Sequence, residues 1–588
     1  MGVNEFDPDD FFGELNRKFA NVSLEQDTSE DIYKEIVLSD LYEYRDTLEN
    51  SSDYHACHAA MKNIRRYLTQ DISLERIQNV LDLDIHERIR TILLEPGYDE
   101  LKYETAWTIT NLAFGTSRQT HYLIESGIID SMVRCFRTSD NYRVKSQTAW
   151  ALANVSIESP DYRSSMAQEN LIGDVAEALT EKCESIAYKL ANGINAEQYR
   201  TTLDGYIIVE DKVDRDDVKD LTWSLANICR GGFKTVEHWE QYLHAFDAFS
   251  VAINYVHKDI WREACWGLSR ILSNMYNFDQ FFRSLHLSSR LCPRLVNLLK
   301  HQEMSAVLPA LQTVSNFSSG PNDYIEILLD ADLLNSVWWY MTPDTPQQLR
   351  RNAILTVSNL AAGDNQIVRK VVYNENIMKS VIAHIVIPGH VYLPEDCKWI
   401  ESNRSTIPET KEEWKIIKEA LYVLSNITTL ADDDSICALL RNYPSIIKLL
   451  AYLLYFHRMN ASVCLKVVDV LIRIVERTNQ ISELTPPVQP NPRNPYAEEM
   501  MREGVIPALT YLCREIKSIE LTEQTEILHV AIMSSSPHPQ QQPASSASAF
   551  GLSRLGIQLP TPDVRRIVHG YEDGDVRLIE EAIGTFSL

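Results

Sequence analysis

The chain has 588 residues, of which 45% are hydrophobic and 23% are charged, a composition typical of folded globular proteins. Its formal net charge of −26 argues against nucleic acid as a partner, because phosphates would be repelled, and favours a basic ligand or plain solubility. Only 20 residues are glycine, which favours helices over turn-rich sheets.

Residues 1–52 form an acidic segment that we predict to be partly disordered. Its bases are Arg17, Lys18, Lys34 and Arg45. The segment lacks the basic-then-apolar order of a signal peptide. Farther along, the longest apolar stretch, SIIKLLAYLLYF, is interrupted by Lys448 and is too short to span a bilayer. We therefore expect a protein of the cytoplasm and nucleus, without a membrane partner.

Residues 53–520 contain a repeat of about 43 residues, which is the separation of Asn111 from Asn154 and of Asn316 from Asn359. Two longer intervals hold insertions near 180–215 and 387–412. Each copy contains a short helix, a second helix and a long third helix with apolar residues at helical spacing. This pattern predicts an all-α fold, a superhelical solenoid of about eight to ten three-helix repeats of the armadillo or HEAT type.

Two segments follow the repeats. Residues 534–550 are rich in proline, serine and glutamine, and their composition predicts a flexible linker. Residues 551–588 form a tail in which we predict short helices.

The ten cysteines occur singly, with no CxxC pair, as is typical of reduced core cysteines. His55 and His58 share a helical face, but zinc needs four ligands and no partner cluster is visible, so we expect no metal. No P-loop, GxSxG or HExxH motif is present in the sequence, and we expect neither an enzyme nor a bound cofactor.

A tryptophan precedes an asparagine by four residues in three repeats, which puts both side chains on one face of the third helix. The pairs are Trp107/Asn111, Trp150/Asn154 and Trp223/Asn227. An amide can both donate to and accept from a peptide backbone, and an indole face attracts ammonium and guanidinium groups. Three aligned pairs therefore favour a groove for an extended basic peptide.

The column three residues before the tryptophan is largely acidic. Its members are Glu104, Gln147, Asp220, Glu263 and Glu419. Acids beside tryptophans select cationic side chains. In a single repeat, a core tryptophan and a buried, helix-capping asparagine would be the more common arrangement. The alignment over three repeats, with acids in register, favours the groove instead.

These motifs resemble importin alpha, the armadillo adaptor of nuclear import. YETAWTITNLAFG, SQTAWALANVSIE and LTWSLANICRGG are similar to its second to fourth repeats, and REACWGLSRILSN through KEALYVLSNITTL to its fifth to eighth. The resemblance covers residues 53–520. It implies a right-handed armadillo-repeat superhelical solenoid. It also implies an adaptor that binds lysine- and arginine-rich nuclear localisation signals in its concave groove.

The resemblance implies two peptide sites. The major site would comprise Trp107, Asn111, Gly115, Thr120, Gln147, Trp150, Asn154, Glu158, Asp220, Trp223, Asn227 and Arg230. The minor site would comprise Glu263, Trp266, Asn316, Leu355, Asn359, Glu419, Tyr422 and Asn426. Glu158, with Asp161 nearby, stands where the family usually has aspartate. In the minor site, Leu355 and Tyr422 replace tryptophans and Asn352 replaces a glutamate, which we expect to weaken it.

Importin beta and a recycling exportin are the transport partners that the resemblance implies. The family binds importin beta through a basic N-terminal helix, and residues 1–52 hold no basic cluster, so we expect no such segment there. Two alternatives remain besides the transport adaptor. One is an armadillo scaffold of the catenin type, and the other is a cargo-binding protein that works without importin beta.

Overall fold

The structure, a computed structural model, describes residues 35–70, 73–230, 239–273, 278–285, 290–342, 344–385, 411–456, 461–481 and 494–535. These residues form 28 α-helices and one two-stranded sheet. They divide into two compact units, and the division falls after Arg294. The predicted all-α fold is confirmed. The predicted insertion at 387–412, apart from its last two residues, the linker at 536–550 and the tail at 551–588 lie outside the described residues.

The first unit contains the helices up to α15, which crosses the division, and both strands. The elements are α1 Leu38–Asn50, α2 Tyr54–Gln70, α3 Leu74–Leu81, α4 His86–Leu94, α5 Asp99–Leu112, α6 Ser117–Glu125, α7 Ile128–Thr138, α8 Tyr142–Glu158, α9 Pro160–Gln168, α10 Leu171–Ala191, β1 Tyr199–Thr201, β2 Ile207–Val209, α11 Lys212–Ile228, α12 Glu240–Ala252, α13 Lys258–Ser273, α14 Phe278–Ser284 and α15 Leu291–Leu298.

The second unit contains the remaining helices. They are α16 Met304–Phe317, α17 Asn322–Asp330, α18 Leu333–Trp338, α19 Gln347–Ala361, α20 Asn365–Val372, α21 Glu375–His384, α22 Lys411–Leu430, α23 Asp433–Asn442, α24 Ile446–Phe456, α25 Ala461–Gln480, α26 Pro495–Arg502, α27 Val505–Glu515 and α28 Ile519–Ser534. The last described helix, α28, ends at Ser534.

The long third helices of successive repeats pack side by side within each unit. In the first unit the stack is α2, α5, α8, α11 and α13, and in the second it is α16, α19, α22, α25 and α28. Their inward faces form the core, as in α8, where Ala149, Leu152 and Val155 are fully buried. No single repeat can bury such a face alone, and stacking the third helices supplies the missing cover.

Sharp corners join the first and second helices of the repeats. Gly127, Asn170, Asp332 and Gly504 each sit just before the second helix with a positive φ, between 62° and 78°. Glycine, asparagine and aspartate tolerate this left-handed conformation best. The Glu-Ser-Gly turn at Gly127 is therefore a helix break, as its sequence indicates.

Near the end of α5, one backbone carbonyl is skipped by the helix hydrogen-bond pattern and receives no backbone donor. The N–H of Ala113 bonds to the carbonyl of residue 109 and the N–H of Phe114 to that of residue 111. The carbonyl of Thr110 between them instead accepts a hydrogen bond from Nδ2 of Asn154 in the next third helix, at 3.1 Å. A buried carbonyl without a donor costs free energy, so the side chain of one repeat completes the helix end of another.

The same hydrogen bond recurs between other third helices. We call the column of residues that includes Asn111, Asn154, Asn227, Arg270, Asn316, Asn359 and Asn426 the ladder. Each acceptor carbonyl lies immediately before the ladder residue of the preceding repeat. The donor–acceptor pairs are Asn359 to Ser315 at 3.1 Å, Asn426 to Ser358 at 3.0 Å and Arg270 to Ala226 at 2.5 Å. At Asn154, Arg270, Asn359 and Asn426 the ladder residue thus makes an inter-repeat hydrogen bond, a structural role that the sequence alone left as the alternative.

The insertion predicted near 180–215 is built from the end of α10 and the β1–β2 hairpin, whereas the sequence indicated no sheet. The hairpin is antiparallel, with Tyr199 opposite Val209, and Ile207 bridges to Tyr255. Lys182 of α10 lies 2.6 Å from Asp217 and 2.8 Å from Asp214, both on α11. These buried ion pairs fix the insertion to the third helix that carries Trp223.

No single described helix is long and apolar enough to cross a membrane. Asp433–Asn442 and Ile446–Leu454 meet that test of length and composition only as a pair, bent by 76°. Of the cysteines in the described ranges, eight are buried and Cys513 is half-buried, all as free thiols.

We expect Asn359→Ala to lower the free energy of unfolding by about 1–3 kcal/mol, because the buried Ser315 carbonyl loses its donor. Asn365→Ala, at an exposed position, is the matched control and should change it little. Chemical denaturation followed by circular dichroism measures both. Equal stabilities of the two variants would contradict the structural role of the ladder.

Candidate peptide-binding groove

Two of the predicted tryptophans lie together on the ladder face of the first unit. Trp150 on α8 and Trp223 on α11 are half-buried, with ring centroids 5.8 Å apart at 58°. Asp220 is one turn before Trp223, its side chain 17% exposed and its carboxylate 3.3 Å from Lys219. An aromatic pair next to a carboxylate attracts cations both through the ring faces and through charge.

Asn111 differs from the other described ladder residues. Its buried Nδ2 has no hydrogen-bond partner among the described residues. The carbonyl of Tyr67 lies 44 residues before Asn111, the spacing that separates Thr110 from Asn154, and it accepts a hydrogen bond from Arg76 at 2.7 Å. The amide nitrogen of Asn111 retains donors that a peptide carbonyl would satisfy.

Asn154 and Asn227 retain part of their amide capacity. An amide group has two N–H donors and one oxygen acceptor. Asn154 is half-buried and donates to Thr110, whereas Asn227 donates from Nδ2 to the carbonyl of Trp223 in its own helix, at 3.0 Å. Arg270 donates to the Oδ1 atom of Asn227 at 3.2 Å. The amide of Asn227 is therefore committed more fully than that of Asn154.

Two predicted major-site residues, Glu158 and Thr120, and the neighbouring Asp161 lie near the end of α8. Glu158 is half-buried and accepts a 3.4 Å hydrogen bond from the hydroxyl of Ser117. Burial raises the pKa of Glu158, and the hydrogen bond from Ser117 and the charge of Arg230 oppose that rise. Thr120 is 1% exposed, and its hydroxyl has no partner in the described part of the chain. Asp161 is exposed.

Gln147 and Gly115 shape the groove without offering a charge. Gln147 is buried and donates from Nε2 to the hydroxyl of Thr110 at 2.8 Å. A Cβ atom on Gly115 would lie 2.6 Å from Oε1 of Gln119, so a side chain there would displace the glutamine.

Trp107 does not have the environment that its sequence position predicts. The indole is only 8% exposed, and the guanidinium carbon of Arg65 lies 3.9 Å from its ring centroid. Nε of the same arginine is 2.6 Å from the carboxylate of Glu104. Sequence reasoning missed Arg65. The available signal was a basic residue placed one repeat upstream of the first tryptophan.

The first-unit members of the predicted minor site are also engaged with basic side chains. Glu263 is buried and forms an ion pair with Arg262 at 3.0 Å. Trp266 is half-buried, and Arg270 lies over it at 5.8 Å from the ring centroid.

In the second unit the ladder is enclosed. Asn316, Asn359 and Asn426 have no exposed surface, and Leu355 is 1% exposed. Tyr422, which replaces a tryptophan, is 5% exposed and has Nζ of Lys466 4.3 Å from its ring centroid. Asn352 and Glu419 are buried as well. In this conformation, these predicted minor-site residues present little surface to a peptide.

No group of three or more histidine, cysteine, aspartate or glutamate side chains that could hold a metal ion occurs among the residues that the structure describes. His55 and His58 lie on α2 beside the ring of Tyr54, at centroid distances of 5.2 and 6.2 Å.

Comparison with known proteins gives two kinds of match. The family model for the armadillo/beta-catenin-like repeat matches residues 116–157. A crystal structure of an engineered protein covers 84% of this chain with a TM-score of 0.61 at 16% identity. A structure from work on the interaction between cadherin and beta-catenin covers 84% with a TM-score of 0.59 at 12% identity. At these identities the two structures establish the fold alone. The fold and the repeat define an armadillo-repeat protein.

The curated relatives that the chain matches are importin alpha subunits. Importin subunit alpha-1b of Oryza sativa subsp. japonica is 28% identical over 288 residues, 48% of this chain and 47% of the relative. Importin subunit alpha-2 of Arabidopsis thaliana is 29% identical over 234 residues, 39% of this chain and 37% of the relative. The chain thus spans about half the length, or less, of the curated relatives it matches. Among armadillo proteins, the chain is similar to importin alpha subunits.

The carboxyl of Asp220 should make binding of a lysine-rich peptide to this groove depend on pH. Burial raises its pKa to about 6, with Asp216 and Asp217 adding to the rise and Lys219 opposing it. The charged form attracts a peptide ammonium, so affinity should fall as the pH falls from 7.5 to 5.5. The loss should be about two- to fivefold for one partly exposed pair.

Fluorescence anisotropy of a labelled lysine peptide at several pH values measures this dependence. Asp220→Asn should flatten the part of the curve near pH 6, whereas Asp204→Asn, at an exposed position on the hairpin, should not. An unchanged curve in Asp220→Asn would show that this carboxyl does not face the ligand.

Proposed function

We propose that the chain is an importin-alpha-like adaptor that binds lysine- and arginine-rich localisation signals of cargo proteins, without catalysis. The proposal is carried by one arrangement in the first unit. The half-buried pair Trp150 and Trp223 shares the ladder face with Asn111, whose buried amide nitrogen has no partner among the described residues. The relationship to importin alpha subunits over about half the chain supports it.

The arrangement favours an extended peptide. Packed helices lie roughly 8–10 Å apart, which matches about three residues of an extended chain. Amides at this spacing bond the peptide backbone without regard to sequence, and the indoles between them accept long cationic side chains. Asp220 and Glu158 supply negative charge on the same unit, and the net charge of −26 favours encounter with basic segments.

We place the dominant site in the first unit, on repeats two to four. There Trp150, Trp223 and Asn154 are all half-buried, whereas Asn316, Asn359 and Asn426 are enclosed. A localisation signal with a single basic cluster needs only the more exposed residues of the first unit. A bipartite signal would need the second unit to expose its ladder, at the cost of the hydrogen bonds that Asn359 and Asn426 make.

Importin beta, a recycling exportin and shuttling between cytoplasm and nucleus are the partners and localisation that we propose with this function. The prediction that residues 1–52 hold no basic importin-beta-binding segment stays a prediction, since 1–34 lie outside the described residues. In the described part, α1 contains four acids and one base, Arg45, which pairs with Asp46 at 2.8 Å.

That acidic helix favours a second candidate, a cargo-binding protein that works without importin beta. Size-exclusion chromatography of the full chain with importin beta, with and without a lysine-rich peptide, separates the two. A stoichiometric complex that carries the peptide indicates the transport adaptor. Peptide binding without any such complex indicates the second candidate.

We expect Trp150→Ala to weaken binding of a single-cluster lysine peptide by about 3- to 30-fold, the range of one cation–π contact. Glu158→Lys should be at least as damaging, because it places a positive charge where the peptide ammonium would lie. Trp339→Ala is the matched control, an indole that is 67% exposed in the second unit, and should bind as wild type does.

Isothermal titration calorimetry at two salt concentrations measures these affinities. The losses should shrink at high salt, since partly exposed charges are screened over about 8–10 Å. Equal losses in Trp150→Ala and Trp339→Ala, or wild-type affinity in Glu158→Lys, would refute the assignment of the dominant site.

A further inference from the structure

A basic side chain of the chain itself occupies the first tryptophan of the groove. Arg65, on α2, places its guanidinium carbon 3.9 Å from the ring centroid of Trp107. Its Nε lies 2.6 Å from the carboxylate of Glu104, one turn before that indole. An indole face with an acid in register is the combination that a peptide cation would require, and Arg65 satisfies both parts.

The arginine is held too firmly to be exchanged for a peptide side chain. Its side chain is 4% exposed, and that of Glu104 is 10% exposed. Breaking a buried ion pair strands the remaining charge and is strongly unfavourable. A peptide lysine would also have to pass an indole that is only 8% exposed. Arg65 is therefore a permanent occupant of this position.

The next tryptophans have a different environment. Trp150 and Trp223 are half-buried, with ring centroids 5.8 Å apart and planes at 58°, and the acid in register with Trp223, Asp220, has a side chain that is 17% exposed. We therefore expect the first unit to recognise cations at Trp150 and Trp223 and not at Trp107.

We propose that Arg65 is a specificity-determining residue that sets one end of the basic cluster this groove accepts. The proposal rests on the function proposed above and adds a restriction to it. The cargo residue that reaches Trp107 gains nothing from being basic, because a fixed guanidinium already neutralises Glu104 and covers the indole. Positive charge at that point of the cargo meets positive charge in the protein.

Three peptides test the restriction. One has a core of four lysines flanked by alanines, and the other two replace either the two preceding or the two following alanines with lysines. Wild-type protein should bind all three within about twofold of one another. In Arg65→Met, Glu104 and Trp107 lose their cation, and one extended peptide should bind at least about threefold more tightly than the core.

Two further variants act as controls. Arg66→Met, at the neighbouring half-buried arginine, should keep the wild-type pattern. The double variant Arg65→Met/Glu104→Gln removes both charges and should lose most of the gain. Circular dichroism verifies that each variant is folded, and the wild-type comparison tests the restriction even if Arg65→Met does not fold.

Distinct outcomes refute the two proposals. The restriction is wrong if wild-type protein already prefers one extended peptide by threefold or more, or if folded Arg65→Met shows no gain. If wild-type protein binds none of the three peptides, the proposed function itself fails, and the restriction fails with it.

Discussion

The stacking of the third helices depends on a hydrogen bond from a side chain to a carbonyl that has no donor in its own helix backbone. Asn154, Asn359 and Asn426 each supply it from the repeat that follows. An unsatisfied carbonyl in such a stack would cost free energy, so at these repeats the asparagine serves the fold before it serves any binding site. The groove uses the amide and indole groups that these inter-repeat hydrogen bonds do not engage.

Binding capacity therefore varies along a column of similar residues. Where the ladder amide is enclosed, as at Asn359, it serves the fold. At Asn111 the buried amide nitrogen has no partner among the described residues and is available to a ligand, and one repeat upstream Arg76 donates to the carbonyl of Tyr67. The tryptophans differ from one another as well. Arg65 covers Trp107, whereas Trp150 and Trp223 are half-buried and lie next to each other. Burial and the identity of the occupant, rather than residue type, distinguish one repeat from another.

Much of the fold could be predicted from the sequence because the period and the helical spacing of apolar residues are local signals. Even the helix break at Gly127 follows from its turn residues. The β1–β2 hairpin was missed because its strands have three residues each, too few for an alternating pattern. For the candidate site, the sequence predicted which residues belong to it but not what those residues contact. The contact of Arg65 with Trp107 depends on the stacking of α2 on α5, which spacing within one helix does not encode.

The replacement by Arg76 has a consequence for comparing armadillo sequences. An asparagine column in an alignment suggests one role at every position, yet in this chain the partners of its members differ from repeat to repeat. Arg76 lies in a different helix from both Tyr67 and Asn111. Evolution can thus convert a scaffold amide into a recognition amide, or the reverse, while the column in an alignment stays unchanged. Scoring such columns correctly requires tracing, repeat by repeat, which donor reaches each carbonyl.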